Sequence, residues 1–243
     1  MELVNKYIVV TGATAGVGYE LVRQLHTNNK VIAVARNADK LAQLQQQFEG
    51  VVCYQADLSC LDQVETVADQ LVKHFAKLDV LINNAAVQNT AQFLDDAFVY
   101  DDMAREIQLN FGSVCALSYL LLPSLLHDQP AAILNINSGL ALTPKTSSAV
   151  YCATKAALNS LTLALRYQLA QSNIVVQQAL LDLVDTDMTR GRGQNKMSAA
   201  KAAAKIIDGF QAGQLDHDIG KVKLLRLLMS LAPPLARKIM KRN

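Results

Sequence analysis

Tyr151 and Lys155 lie four residues apart in a stretch of helical periodicity, which puts both on one helix face. A phenol with a pKa near 10 holds its proton at neutral pH, and an adjacent ammonium favours the phenolate and lowers that value. A tyrosine so tuned can pass a proton to or from a carbinol oxygen. Thirteen residues earlier, Ser138 follows an apolar run, where its hydroxyl can hydrogen-bond the same oxygen. Near the amino end, Thr11-Gly12-Ala13-Thr14-Ala15-Gly16-Val17-Gly18 joins a β-branched run to a helical pattern. Glycines at such a turn let the backbone approach a pyrophosphate, and the helix start offers it free N–H groups and positive dipole. The expected site there comprises Gly12, Thr14, Gly16, Val17 and Gly18.

These groups need elements to position them. Short apolar runs at 7–10, 31–34, 51–54, 80–82, 131–136 and 174–181 read as strands. Helical patterns follow at 17–28, 38–48, 61–75, 101–126, 151–171 and 198–210, with Pro123 kinking the fourth or closing it early and Ser198 capping the last. Repeated β-α-β with near-continuous apolar strands implies a parallel sheet covered on both faces. The expected fold is α/β, a three-layer doubly wound parallel sheet of Rossmann type in a single domain. Residues 1–219 would form the dinucleotide-binding catalytic domain and 220–243 a basic amphipathic extension of it. Ligands of such sheets bind beyond the carboxyl ends of the strands, where Ser138 and the glycine turn both fall.

The spacing Gly12-x-x-x-Gly16-x-Gly18 resembles that of the short-chain dehydrogenase/reductase family, and the resemblance runs over nearly the whole chain. Asp57-Leu58, Asn83-Asn84-Ala85-Ala86, Asn110, Ser138 and Tyr151-x-x-x-Lys155 carry it further. It implies a catalytic group of Asn110, Ser138, Tyr151 and Lys155. In this group Tyr151 is the acid/base, Lys155 also binds the nicotinamide ribose, and Asn110 holds a water relaying protons to Lys155. It also implies cofactor contacts from Asp57 and Leu58 at the adenine, from Asn84, and from Thr186 at the nicotinamide carboxamide. Three positions depart from the family pattern: Ala86 for Gly, Asn137 for Ser, and Leu181-Asp182 for Pro-Gly. The segment from Gly220 onward also resembles a bacterial branch of oxidoreductases named after a D-alanine-transfer operon.

The second strand pattern ends Val34-Ala35-Arg36-Asn37. An NAD-selective site places a carboxylate there for the ribose 2′-hydroxyl, whereas Arg36 can clamp a 2′-phosphate and stack on adenine. The expected cofactor is therefore NADP (NADPH), and the expected activity is hydride transfer between nicotinamide and a carbonyl or secondary alcohol. The alternative is a catalytically silent nucleotide-binding sensor or scaffold of the same fold, favoured by the loss of Pro-Gly.

Composition narrows the field. The 243 residues are 51% hydrophobic and 18% charged, enough for a large core and unlike a disordered chain. From Gly220 onward there are seven basic residues and no acids, leaving 16 basic and 21 acidic elsewhere, a balance of −5. That distribution does not resemble a nucleic-acid-binding face. Four cysteines without CxxC pairing and four histidines without ligand spacing point to reduced thiols and no catalytic metal. With no basic leader and no apolar run of about 18 residues, the sequence reads as cytoplasmic. The segment 188–197, with two glycines, reads as a substrate lid. Apolar faces around Phe111 to Leu121 and Leu158 to Leu169 suggest a mostly internal core with part in a homo-oligomer interface. The basic tail is expected to form amphipathic helices, broken at Pro233-Pro234, beside the substrate entrance or a partner subunit, with a membrane surface less favoured.

Overall fold

The β-branched runs become strands because such side chains fit a pleated surface buried on both sides. The computed structural model describes residues 1–241; Arg242 and Asn243, the end of the basic tail, lie outside the described residues. In chain order the first half comprises β1 (Tyr7–Thr11), α1 (Gly16–Leu25), β2 (Lys30–Ala35), α2 (Ala38–Gln47), β3 (Val52–Gln55), α3 (Leu61–His74), β4 (Val80–Asn83), α4 (Tyr100–Ile107), α5 (Ser113–Leu120) and α6 (Leu122–Leu125). There follow β5 (Ala131–Ser138), α7 (Ala149–Gln168), β6 (Ile174–Leu181), β7 (Val184–Asp185), β8 (Met197–Ser198), α8 (Ala199–Gln211), β9 (Asp216–Asp218), α9 (Val222–Leu231) and α10 (Pro233–Met240). Among the described residues, seven strands form one parallel sheet in the order β3-β2-β1-β4-β5-β6-β9. The winding direction reverses between β1 and β4.

Alternation along each strand divides the core in two. Ile8 and Val10 of β1 face α1, α2 and α8, where Leu21, Leu44 and Phe210 meet them. Val9 between them faces the other way, into a cluster with Leu71, Leu81, Leu117 and Ile133. The expected doubly wound, three-layer sheet is therefore the observed one. Val114, Leu117, Leu121 and Leu158, read as partly interfacial, are buried within the subunit.

Two local readings need correction, and two further segments take definite places. The seventh strand, β9, was not anticipated because Asp216-His217-Asp218 has no apolar pattern. It is held by its partners instead: Asp216 accepts from Gln178 Nε2 at 2.7 Å and from Arg166 Nη2 at 2.9 Å. The helix expected over 101–126 is interrupted by a π turn, Gln108–Gly112, and again at Leu121, two residues before Pro123. The segment 188–197 is anchored. Thr186 and Thr189 cap a short 3₁₀ turn reciprocally, Met197-Ser198 pair with Val184-Asp185, and Arg192 donates to Gln88 Oε1 at 2.8 Å. The tail rests on the body of its own subunit, one of the places open to it. Asp182 accepts from Lys221 N at 3.3 Å, Arg226 forks onto Asp218 at 2.5 and 2.8 Å, and Thr146 Oγ1 donates to Lys241 O at 2.6 Å. The proline pair is accommodated because α10 begins on it, where missing N–H groups cost nothing.

Leu81 lies in the centre of the sheet with no exposed surface. Leu81→Ala should lower stability by about 2–5 kcal/mol in denaturant unfolding, and a loss under 1 kcal/mol would show a looser core than described.

Candidate active site

The reversal of winding between β1 and β4 opens a crevice, and the glycine turn sits on its floor. Thr11 Oγ1 at the end of β1 accepts from Asn84 N at 2.9 Å and Ala85 N at 3.0 Å. Asn84 returns its amide to Thr11 O at 2.9 Å. Any Cβ at Gly18 would overlap the Gly12 carbonyl and the Asn84 amide, so only glycine closes this turn. Gly16 has φ +52°, and a Cβ there would stand 2.9 Å from Thr186 Cγ2. The turn after β1, the loop after β4 and Thr186 after β6 therefore meet. The start of α1 carries no side-chain cap at Ala15, which leaves its first N–H groups to an anion. This bare, glycine-lined cradle fits a dinucleotide pyrophosphate, with Thr14 and Val17 in the same turn.

Arg36 stands exposed just past β2. Asp57, expected at the adenine, is engaged by the protein itself. It accepts from Ser59 N at 3.0 Å, Ser59 Oγ at 2.6 Å and Arg105 Nη2 at 2.5 Å. Partial burial would raise its carboxyl, but these bonds and the positive charges of Arg105 and Arg36 hold it below the usual range. Leu58 beside it is buried.

On the other side of the crevice, β5 and α7 bring Ser138, Tyr151 and Lys155 together. Ser138 is the last residue of β5; its hydroxyl is near enough to Tyr151 to favour the phenolate and accepts from Leu140 N at 3.1 Å. Asn137, the departure from the family pattern, steadies it: its Oδ1 accepts from Ser138 N at 2.8 Å while its amide donates to Gln178. The Lys155 ammonium, 4% exposed, donates to Ile136 O at 2.9 Å and lies 5.6 Å from the centre of the Tyr151 ring. Burial pushes Lys155 down to about 8.

The expected lowering of Tyr151 is not found. Burial raises its phenol, and nearby Cys152 and Glu106 add to the rise, against the Ser138 hydrogen bond and Arg192. Removing a phenolate from water outweighs the favourable contacts. Tyr151 thus keeps its proton at neutral pH in this state.

Asn110 sits in the π turn with no exposed surface. Its side chain closes a two-way clasp on Val87, accepting from N and donating to O, both at 2.9 Å. One turn earlier, Glu106 holds Asn89 by accepting twice, from N at 3.4 Å and from Nδ2 at 3.2 Å. Sequence reasoning missed Glu106, although its position four residues before Asn110 marked the shared face. It lines a cavity of about 210 Å³ with Asn89, Phe98, Met103 and Ser148. Ser148 has a left-handed backbone and a buried hydroxyl with no partner among the described residues, so the cavity's wall carries a free polar group. Asp182, in place of the expected glycine, holds the start of α9, which gives this departure a structural reason.

Comparison with known proteins supplies a context for this geometry. Residues 6–197 match the family model described as short chain dehydrogenase. The chain is 34% identical over 236 residues to DltE, an uncharacterized oxidoreductase of Bacillus subtilis, covering 93% of this chain and 92% of that one. Its fold is similar to a short chain dehydrogenase from Burkholderia cenocepacia in complex with NADP, with a TM-score of 0.85, 23% identity and 99% of both chains covered. It is also similar to one from Burkholderia phymatum in complex with NAD, with a TM-score of 0.83, 21% identity and 95% and 96% covered.

Burial raises the Glu106 carboxyl from 4.5 to about 7, so in the folded state it keeps a proton that the unfolded chain releases. Stability from this group is present below pH 4.5 and is lost as pH rises to about 7, by on the order of 3 kcal/mol. Glu106→Gln should flatten the stability profile across that window; parallel profiles for the two proteins would refute the assignment.

Proposed function

Because the chain belongs to the short-chain dehydrogenase family, we propose that it is an NADP(H)-dependent oxidoreductase acting on a carbonyl or secondary alcohol, with Tyr151 as acid/base. The observation that carries this reading is the grouping of half-buried Ser138 with buried Tyr151 and Lys155 at the carboxyl edge of the sheet, the edge that also carries the glycine turn. Gly12, Thr14, Gly16, Val17 and Gly18 would hold the pyrophosphate, Arg36 the 2′-phosphate, Asp57, Leu58 and Asn84 the adenine side, and Lys155 and Thr186 the nicotinamide side. A bound nicotinamide would supply or accept the hydride.

The remaining chemistry falls to the chain. The Ser138 hydroxyl orients the substrate oxygen towards Tyr151. In the reducing direction Tyr151, kept protonated by burial, donates its proton to the developing alkoxide. Lys155, with its proton loosely held near pH 8, stabilises the phenolate that results and restores its proton. Asn110 fixes the loop through Val87 and so sets the far wall of the crevice. NADP is preferred over NAD because Arg36 is exposed and β2 ends in Ala35 without a carboxylate. The NADP in the Burkholderia cenocepacia structure is in keeping with this, and the NAD in the Burkholderia phymatum one makes Arg36 the residue to test. A homo-oligomer would use the exposed aromatics of α5 and α7, Tyr119 and Tyr167.

A screen of carbonyl compounds with NADPH, read by loss of reduced-cofactor absorbance, tests the activity. On any substrate found, Tyr151→Phe should lower turnover about 10²–10⁴-fold with little change in cofactor affinity, and near-full turnover would remove Tyr151 from the acid/base role. Arg36→Ala should weaken NADPH at least tenfold and NADH far less. Equal or tighter binding of NADH by the native protein would overturn the NADP preference.

A further inference from the structure

The helical hairpin α9–α10 rests on the body by one face only. Val222, 2% exposed, and Leu225 point inward, where a Cβ at Gly139 would stand 3.1 Å from Val222 Cγ2 and 3.5 Å from Leu225 Cδ2. The opposite face of α9 presents Leu224, Leu227 and Leu231, exposed by 66, 54 and 75%. Their spacing of three and four residues makes a single stripe. Leu235 of α10, half exposed, adds a fourth large apolar side chain. Exposed apolar residues scattered singly are ordinary, but an aligned row is a contact surface.

The charges around the stripe identify its partner. Lys221, just before α9, and Lys223 flank it, Arg237 and Lys238 stand on α10 and Lys241 follows it, with no acid anywhere in the segment from Gly220 onward. Arg226 is consumed by Asp218, whereas Lys221, Lys223, Arg237 and Lys238 form no ion pair among the described residues. A second copy docked by this face through a two-fold axis would set one cationic, acid-free surface against another. An anionic lipid surface pairs with all of them at once and receives the leucines between its headgroups. No helix among the described residues is long and apolar enough to cross a membrane, so the hairpin would lie in the interface rather than span it.

We propose that α9 and α10 form an interfacial membrane-docking face, with Leu224, Leu227, Leu231 and Leu235 entering an anionic bilayer and the surrounding lysines and arginines pairing with its headgroups. The face borders the crevice: Gly139 follows Ser138, Lys241 O receives Thr146 Oγ1 on the loop leading to Tyr151, and Asp182 caps α9. Docking would set the crevice's rim at the lipid surface.

Co-sedimentation of the full-length protein with vesicles of phosphatidylglycerol and phosphatidylcholine in equal parts tests this. Binding is expected, at least tenfold stronger than to pure phosphatidylcholine and weakened at least fivefold in 0.5 M salt. The triple variant Leu224→Ser, Leu227→Ser, Leu231→Ser alters only exposed side chains and should lose binding at least tenfold, with an unchanged circular dichroism spectrum and thermal midpoint. The pair Lys223→Glu, Lys238→Glu should do the same through charge alone. Absence of binding to the anionic vesicles, or equal binding by both variants and the native protein, overturns the proposal. So does a triple variant that turns a dimer into a monomer by light scattering while vesicle binding is unchanged, since the stripe then covers a second copy.

Discussion

An ammonium withdrawn from water requires a partner, and in this protein the partner is a main-chain carbonyl of the central sheet. Lys155 reaches Ile136 O, and two helical turns later Thr162 accepts from Asn135 Nδ2 at 2.9 Å on the same strand. Asn135 in turn accepts from Asn83 of β4 at 2.9 Å. These bonds set α7 against β5 in one register. One turn before Lys155, that register puts Tyr151 over Ser138. The dry surroundings act on both groups in opposite senses. Desolvation holds the phenol's proton and loosens the ammonium's, because each prefers its neutral form when buried.

The opposite wall of the crevice is built from backbone rather than charge. One hydroxyl, Thr11 Oγ1, gathers the first two N–H groups after β4, and Asn84 locks the other direction. The glycines allow three loops, each following a different strand, to approach within van der Waals contact. Asn110 and Glu106 then hold the continuation of the β4 loop at Val87 and Asn89. The wider π turn takes Ser113 N to Gln108 O, and Asn110 within it turns its side-chain amide to Val87 O and Thr154 Oγ1.

The carboxyl-terminal hairpin and the loop after β6 form a matched pair. Asp182 occupies a place where the family pattern has glycine, and its carboxylate receives the first N–H of the hairpin. Gly220 permits the approach: its φ is +71°, and a Cβ would stand 2.9 Å from Asp182 Cβ. The departure and the extension therefore belong to one device, which ties the rim of the crevice to the tail.

Much of this was legible in the residues. Apolar runs of β-branched side chains determine strands, and their alternation with 3.6-residue periodicity determines a parallel, doubly wound sheet, since both are local patterns with one favourable burial. The glycine turn, Ser138, Tyr151 and Lys155 were legible because each follows a strand's carboxyl end, where such sheets place ligands. What the sequence could not determine depends on groups distant in the chain. Strand β9 has no apolar signal and exists through Arg166 and Gln178. The π turn and the clasp of Glu106 on Asn89 depend on a loop the helix itself does not encode. The direction of the Tyr151 shift was decided by burial. Spacing shows which charges are neighbours, but only the packed structure shows how much water has been removed from around them, and for a phenolate that removal is the larger effect.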